Sequence, residues 1–215
     1  MMSKKVGVIG SGVVGKVLAN GFLKHGYDVM IGTRDPGKLD EWKQTSGGQV
    51  GNLSEAAQFG DLVVFAVAGT AAEEALQLTG VDHLAGKTVL DATNPIAAAP
   101  PENGVIQYFT GPNESLMERL QKLAPGARFV KAFSCVGNAL MVNPQLPGGP
   151  PTMFICGNDT NAKAEASQVL ATFGFEVEDM GGVEGARAIE PLAILWCIPG
   201  FLQNRWVNAF KLLKP

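Results

Sequence analysis

Charged residues, cysteines and basic clusters are all scarce in this chain of 215 residues, and each scarcity excludes a class of protein. Charged residues make up 17% of the sequence, against about 25% in typical soluble domains, which predicts extensive burial in a core or a subunit contact. The net charge is -3 and no basic block is present, so we expect no nucleic-acid partner. The three cysteines, Cys135, Cys156 and Cys197, form no CxxC pair, which argues against a zinc site or a disulfide framework.

Long apolar runs are also missing. No stretch offers about 18 uninterrupted apolar residues, so we expect no membrane span. The N-terminal sequence MMSKKVGVIGSG has two lysines but no apolar run of signal-peptide length. Together with the unpaired cysteines, these features predict a protein of the reducing cytoplasm.

Glycine, in contrast, is abundant, at 27 residues, and it punctuates a regular alternation of short apolar runs and amphipathic stretches. Strands are predicted at 5–9, 27–31, around 50, 61–67 and 88–92, with helices at 13–24, 38–45, 53–59 and 71–78 between them. Beyond these, the pattern predicts a helix at 115–123, strands at 128–133, 153–156 and 175–178, and a helix at 161–173. This alternation is typical of an α/β fold, a doubly wound, mostly parallel sheet with helices on both faces. We expect one domain over 1–215, with 183–215 as a helical extension in two pieces broken around Pro199 and Gly200.

The sequence VGVIGSGVVG places three glycines, Gly10, Gly12 and Gly15, between the first predicted strand and the first helix. A glycine triplet alone is a weak signal, but this position in a βαβ unit is typical of dinucleotide-binding loops. The first glycine permits the turn, the second lets a pyrophosphate approach the backbone, and the third lets helix and strand pack closely. We expect Ser11, Val13 and Val14 to complete this cofactor-binding loop, with free N–H groups facing the phosphates. The alternative is a glycine-rich turn without a ligand.

The end of the second strand predicts which dinucleotide binds. An NAD-binding protein has an acidic residue there to hold the ribose hydroxyls, whereas this chain has Gly32, Thr33 and Arg34. A hydroxyl and a guanidinium suit a 2′-phosphate, and Lys38 is close enough along the chain to contact the same group. The sequence therefore predicts NADP(H), with a solvated surface arginine as the alternative for Arg34.

Three further strand ends are candidates for cofactor contacts, because ligands of α/β sheets bind beyond the carboxyl ends of the strands. Small or apolar residues follow the fourth strand, and a fixed turn follows the fifth, where the nicotinamide would lie. The candidates are Ala66, Val67, Ala68, Asn94, Pro95, Ser134, Cys135 and Val136. Ordinary loop chemistry is the alternative for each of them, and for Cys135 a small core residue is favoured over a redox thiol.

These segments together resemble the NADPH-dependent reductases of the deazaflavin coenzyme F(420). The same domain recurs in the cytoplasmic reductase portion of transmembrane ferric reductases. The resemblance rests on GVIGSGVVGKVLANGFLKHGYDVMIGTRDP, DLVVFAV, DATNP, KAFSCVGN and PTMFICGND, and it covers most of the chain. It implies a Rossmann domain with a small C-terminal part, a dimer, and hydride exchange between NADPH and a flavin-like ring. Ser134 stands where archaeal members have a histidine, so the acceptor is left open between a deazaflavin, another flavin and a different oxidised substrate.

The sequence offers no Ser-His-Asp set, no metal cluster and no isolated catalytic lysine. Hydride transfer between two ring systems needs little acid–base help, because the cofactors carry the chemistry. We therefore predict an oxidoreductase with no catalytic side chain and no metal, acting on a small-molecule acceptor. Two alternatives are a reductase of an imine or a hydroxyacid and a non-catalytic NADP(H)-binding redox sensor.

The last segment, 189–213, is unusually apolar. At helical spacing one face carries Leu192, Leu195 and Trp196, and a second piece carries Phe201, Trp206, Ala209, Phe210 and Leu213. Two such faces exceed what one terminal helix needs in order to dock, which predicts a two-fold dimer contact. The alternative is that both faces complete the core of the monomer.

Overall fold

The computed structural model describes residues 4–214, and its centre is a sheet of six parallel strands. The strands occur in the order β3-β2-β1-β4-β5-β6, the order of doubly wound dinucleotide-binding folds. Their bounds are β1 Lys5–Ile9, β2 Asp28–Gly32, β3 Gln49–Gly51, β4 Leu62–Phe65, β5 Thr88–Asp91 and β6 Arg128–Lys131. The predicted fold class is therefore confirmed, and the carboxyl ends of all six strands lie along one edge.

Helices cover both faces of the sheet and enclose two apolar layers. Their bounds are α1 Val13–Lys24, α2 Asp40–Ser46, α3 Leu53–Phe59, α4 Ala72–Thr79, α5 Leu116–Leu123 and α6 Thr160–Thr172. One layer contains buried side chains of α1 and α6, and the other those of α3, α4 and α5. The strands between them are continuous apolar runs because both of their faces are covered.

A second, two-stranded parallel sheet extends the fold, with β7 at Thr152–Ile155 and β8 at Glu176–Asp179. An antiparallel bridge between Lys131 and Cys156 connects it to the end of β6. The predicted strands at 153–156 and 175–178 correspond to these two elements. That the chain forms one domain over its whole length stays a prediction.

The prediction of two helical pieces broken around Pro199 and Gly200 is wrong. A short helix α7 occupies Ala186–Ile189, and α8 runs from Leu192 to Gln203 straight through Pro199. Gly200 is instead a packing site, since an added Cβ would lie 2.3 Å from the ring of Trp206. Asn204, whose φ is 51°, caps the C-terminus of the helix.

Residues 204–214, the greater part of the predicted second helical piece, contain no helix. This tail runs back along β7, where Thr152 donates its N–H to the Phe210 carbonyl at 2.9 Å. The N–H of Leu212 is bonded to the Thr152 hydroxyl at 3.0 Å. These bonds fix this part of the tail against β7 in a non-helical conformation, so its apolar spacing does not correspond to the face of a helix.

The stretch Val183–Gln203 has the length and composition of a helix that could cross a membrane, with 21 residues and a mean hydropathy of 1.3. One such stretch is weak evidence, because helices of soluble proteins pass the same test. Here the beginning of the stretch is bound to the domain, since the Glu190 carboxylate is almost fully buried. The second half, in α8, exposes Leu195, Phe201 and Leu202.

Candidate functional site

The glycine loop between β1 and α1 has the geometry that its spacing predicts. Gly10 has a φ of 120°, which favours glycine, and an added Cβ there would lie 2.3 Å from the Ala66 carbonyl oxygen. A Cβ on Gly15 would lie 2.1 Å from the Gly10 carbonyl oxygen, so helix and strand pack too closely for any side chain. At Gly12, by contrast, an added Cβ would meet nothing within 4 Å. The loop therefore leaves open space at the position where a phosphate would approach the start of α1.

A cleft of about 210 Å³ opens beside this loop, at the carboxyl ends of β1, β2 and β4. Its lining unites three of the predicted groups: the glycine loop, the end of β2 and the residues after β4. These are Gly10, Ser11, Gly12, Thr33, Arg34, Ala66, Val67 and Ala68. Sequence reasoning did not find the far wall, which consists of Leu53 from α3 together with Ala71, Glu74, Ala75 and Leu78 at and around α4. These residues form an apolar surface opposite Arg34, with one carboxylate at its mouth.

The end of β2 is held by hydrogen bonds and carries an exposed cation. Thr33 is 5% exposed, and its hydroxyl lies 2.9 Å from that of Ser11 and accepts from the Asp35 N–H at 3.3 Å. The Arg34 guanidinium is largely exposed and lies 3.9 Å from the Glu74 carboxylate. Lys38 is not in the cleft lining and pairs with Asp35 at 3.4 Å. Arg34 is thus the cation of the cleft itself, and Lys38 lies beyond its rim.

A second candidate for cofactor contacts lies along the same carboxyl edge of the sheet, where two buried polar atoms have no hydrogen-bond partner among residues 4–214. The Asn94 side-chain amide donates to the Ser134 carbonyl at 2.7 Å, which joins the ends of β5 and β6. This bond turns the Asn94 Oδ1 atom away from Ser134, and that oxygen has no hydrogen-bond partner in the described structure. The Ser134 Oγ atom is likewise buried and unpartnered there. Such orphaned atoms are costly unless something binds them.

The remaining candidates at this place have apolar surroundings. Pro95, Cys135 and Val136 are buried, and the Cys135 side chain is only 2% exposed. Burial raises the pKa of the Cys135 thiol to about 11. A thiol kept protonated and out of solvent is a poor nucleophile, which agrees with the interpretation of Cys135 as a core residue. Of Val13 and Val14, on the first turn of α1, Val13 is largely exposed and Val14 half-buried.

Beneath the Asn94 turn lies a buried ion-pair cluster that sequence reasoning missed. Lys131 Nζ lies 2.6 Å from an Asp91 carboxylate oxygen and 2.8 Å from a Glu190 oxygen, and all three side chains are at most 1% exposed. Lys131 also donates to the Thr93 carbonyl at 2.9 Å. The only signal in the sequence was a lysine inside the apolar run FVKAF.

Further hydrogen bonds complete the cluster. Asp91 accepts from the N–H and hydroxyl of Thr93, at 2.9 and 2.7 Å. Glu190 accepts the backbone N–H groups of Leu116 and Met117, at the beginning of α5, at 3.0 and 3.1 Å. Burial alone would lower the pKa of Lys131, but the attraction of the two carboxylates outweighs it, so the pKa is raised and the amine stays an ammonium. Removing one member of such a pair typically costs about 3–5 kcal/mol, because the other charge is left unpaired.

The parallel sheet in this strand order, the open glycine loop and the cleft beside it define a dinucleotide-binding protein of the Rossmann type. The family model for NADP oxidoreductases, coenzyme F(420)-dependent, matches residues 5–95. A crystal structure from Arthrobacter sp. FB24, of a protein proposed to be an F(420)-dependent NADP reductase, is 30% identical and has a TM-score of 0.91. It matches over 99% of this chain and 100% of its own. The chain belongs to this family of NADP oxidoreductases.

Two curated relatives are named for different activities. Metalloreductase STEAP3 of Rattus norvegicus is 32% identical over 92% of this chain, and this chain spans 39% of the length of that relative. The NADPH-dependent reductive aminase of Aspergillus oryzae is 27% identical over 99% of this chain and 65% of its own length. Both names describe a reductive activity, but they indicate different substrates.

Proposed function

We propose that this protein binds NADP(H) and transfers hydride between NADPH and a flavin or deazaflavin in the cytoplasm. The observation that carries the proposal is the cleft itself, where Gly12 leaves open space beside the exposed Arg34 cation. A phosphate-bearing dinucleotide suits both features, since one accommodates a pyrophosphate and the other attracts a 2′-phosphate. Family membership supports the NADP part of the proposal.

Each part of the cofactor has residues that fit it. The N–H groups at the start of α1 would hold the pyrophosphate. Leu53, Ala75 and Leu78 would cover the adenosine, and Arg34 would bind its 2′-phosphate, with Lys38 as a further cation outside the cleft lining. The unpartnered Asn94 Oδ1 and Ser134 Oγ atoms match the amide donor and carbonyl acceptor of a nicotinamide carboxamide. Binding would thus satisfy both orphaned atoms.

The bound cofactor supplies the hydride chemistry, and the protein supplies position. Within the described residues we find no group of three or more His, Cys, Asp or Glu that could hold a metal ion. The thiol near the nicotinamide end, Cys135, is buried and protonated, so no nucleophile is offered there. Alignment of the nicotinamide ring and the acceptor ring in a site with little water would lower the barrier to hydride transfer, and no side chain would need to transfer a proton.

The proposed function and its alternatives differ in the electron acceptor that supports turnover of NADPH. We expect NADPH oxidation by this protein to accelerate with a free flavin or a deazaflavin in steady-state assays, followed by loss of NADPH absorbance. Parallel assays use a ferric chelate, because of the metalloreductase relatives, and a ketone with an amine, because of the aminase relative. Turnover only with the carbonyl and amine would replace the flavin proposal by reductive amination. Tight NADPH binding without turnover of any acceptor would favour the redox sensor.

We further propose that α8 and the tail form the contact of a homodimer. We call the exposed set on this segment the C-terminal apolar surface; its members are Leu195, Phe201, Leu202, Val207 and Leu213, which are 45–84% exposed. These side chains face outward and do not pack into the core of the monomer. Completion of that core therefore does not explain why this segment is so apolar. A second copy of the same surface is the occupant that a two-fold axis supplies.

We expect light scattering at tens of micromolar to give the mass of a dimer. Leu195→Glu should shift it to the monomer, because two like charges would be buried near the two-fold axis. Leu123→Glu is the matched control, since it places the same charge on an exposed leucine of α5, outside the proposed contact, and should leave the dimer intact. A monomeric wild type, or a Leu195→Glu variant that remains a dimer, would contradict the proposed contact.

A further inference from the structure

The buried cluster beneath the Asn94 turn contains more negative than positive charge. Asp91 and Glu190 contribute two carboxylates, and Lys131 contributes one ammonium, which leaves one formal negative charge. All three groups are excluded from water. A buried charge acts more strongly than an exposed one, because neither solvent nor salt screens it effectively.

The cluster lies at the carboxyl ends of β5 and β6, the two strands that precede the orphaned polar atoms of Asn94 and Ser134. Asp91 is the last residue of β5 and Lys131 the last residue of β6. Both are bonded to Thr93, the residue that precedes Asn94. The charged groups are therefore hydrogen-bonded to the residue next to Asn94, whose side chain would hold a nicotinamide.

Neighbouring groups reduce this charge only in part. Arg187 forms a bidentate ion pair with Glu118, so that pair adds no net charge. The N–H groups of Leu116 and Met117 point at Glu190 and offset part of its charge, as the beginning of a helix does. No further cation touches the cluster within residues 4–214.

We propose that this surplus negative charge tunes the redox site by stabilising the oxidised cofactor relative to the reduced one. The inference rests on the proposed function, with the nicotinamide at Asn94 and Ser134. Loss of a hydride to the acceptor, one proton with two electrons, converts the neutral dihydronicotinamide ring into a pyridinium cation. A buried negative charge nearby stabilises that cation, and thereby favours hydride release from NADPH to the flavin-type acceptor.

The test compares the dissociation constants of NADP⁺ and NADPH, measured by titration with wild type and three variants. Glu190→Gln and Asp91→Asn each remove the surplus charge. We expect the ratio of the NADP⁺ constant to the NADPH constant to rise at least about fourfold in each, which is the effect of one unit charge at roughly 20 Å for an effective dielectric constant of about 20. Circular dichroism melts show which variants are folded.

The variant Glu190→Asp is the decisive control. It shortens the side chain and disturbs the contacts with Lys131 and α5, but it keeps both carboxylates and the lysine, so the formal charge of the cluster is that of wild type. We expect its ratio to stay within about twofold of the wild-type value. If Glu190→Asp shifts the ratio as much as Glu190→Gln does, the contacts matter and not the charge, and the inference is wrong.

Two further outcomes of the titrations separate a failure of this inference from a failure of the proposed function. Folded single variants with the wild-type ratio overturn the inference while leaving NADP(H) binding intact. A wild type that binds neither form of the cofactor overturns the proposed function itself, and the inference with it. Should Glu190→Gln fail to fold because α5 loses an acceptor, Asp91→Asn still provides the test, since Glu190 and its bonds to α5 are retained.

Discussion

Replacing Gly12 by valine is expected to abolish dinucleotide binding while the protein stays folded. The fold tolerates a side chain there, because an added Cβ meets no atom within 4 Å. The same space is where the pyrophosphate would approach the backbone, so an isopropyl group would exclude it. Titration with NADPH should show no saturable binding, and the thermal unfolding midpoint should stay close to that of wild type.

Gly148 provides the matched control for this experiment. It is also a glycine with nothing within 4 Å of an added Cβ, but it lies on an exposed loop outside the cleft. Gly148→Val should therefore bind NADPH as wild type does. A folded Gly12→Val protein with normal NADPH affinity would show that the glycine loop is not the cofactor site.

Replacing Arg34 by alanine is expected to weaken NADPH binding about 10- to 150-fold, the usual effect of losing a charge-assisted bond worth about 1.5–3 kcal/mol. Glu74 should add to the loss, because its carboxylate lies 3.9 Å from the guanidinium in wild type and would remain at the mouth of the cleft alone. NADH lacks the 2′-phosphate, so its affinity should change little. Titrating both cofactors against both proteins measures this preference for NADPH.

Arg128→Ala is the control for a general effect of lost positive charge. Arg128 begins β6, at the opposite edge of the sheet from the cleft, and pairs with Asp159 at 3.4 Å. Its removal should leave both affinities unchanged. Equal wild-type affinities for NADPH and NADH would refute the predicted preference, as would an Arg34→Ala protein that loses both cofactors alike.

Local signals predicted the fold and one half of the candidate site well. The predicted helix at 53–59 is present, and its N-cap is Asn52, which forms a capping box with Glu55. The first part of the predicted helix at 38–45 is a 3-10 turn, because Pro36 opens it, and the α-helix begins at Asp40. Such shifts at element ends leave the order of strands and helices unchanged, since that order depends on the spacing of apolar residues.

The other half of the site could not be found in this way. Glu190 reaches Lys131 only because α7, which ends just before it, packs against α5, and nothing near Glu190 in sequence distinguishes it from an exposed acid. Glu74 likewise faces Arg34 because α4 stands across the cleft from β2. The tail after Asn204 was predicted as a helix because its apolar spacing permits one, yet its backbone is bonded to the edge of β7.

The sequence by itself therefore determined the parallel α/β sheet, the glycine loop at its first turn and the cation at the end of β2. Each of these depends on residues within one βαβ unit, where apolar periodicity and glycine conformation act locally. Only the tertiary structure decided the far wall of the cleft, the orphaned polar atoms of Asn94 and Ser134, and the burial of Asp91, Lys131 and Glu190 together. Those features arise where elements that are distant in sequence pack together and exclude water. Exclusion of water determines the free energy of burying a charge and the distance over which that charge acts. It depends on the packing of distant elements, so no local sequence pattern predicts it.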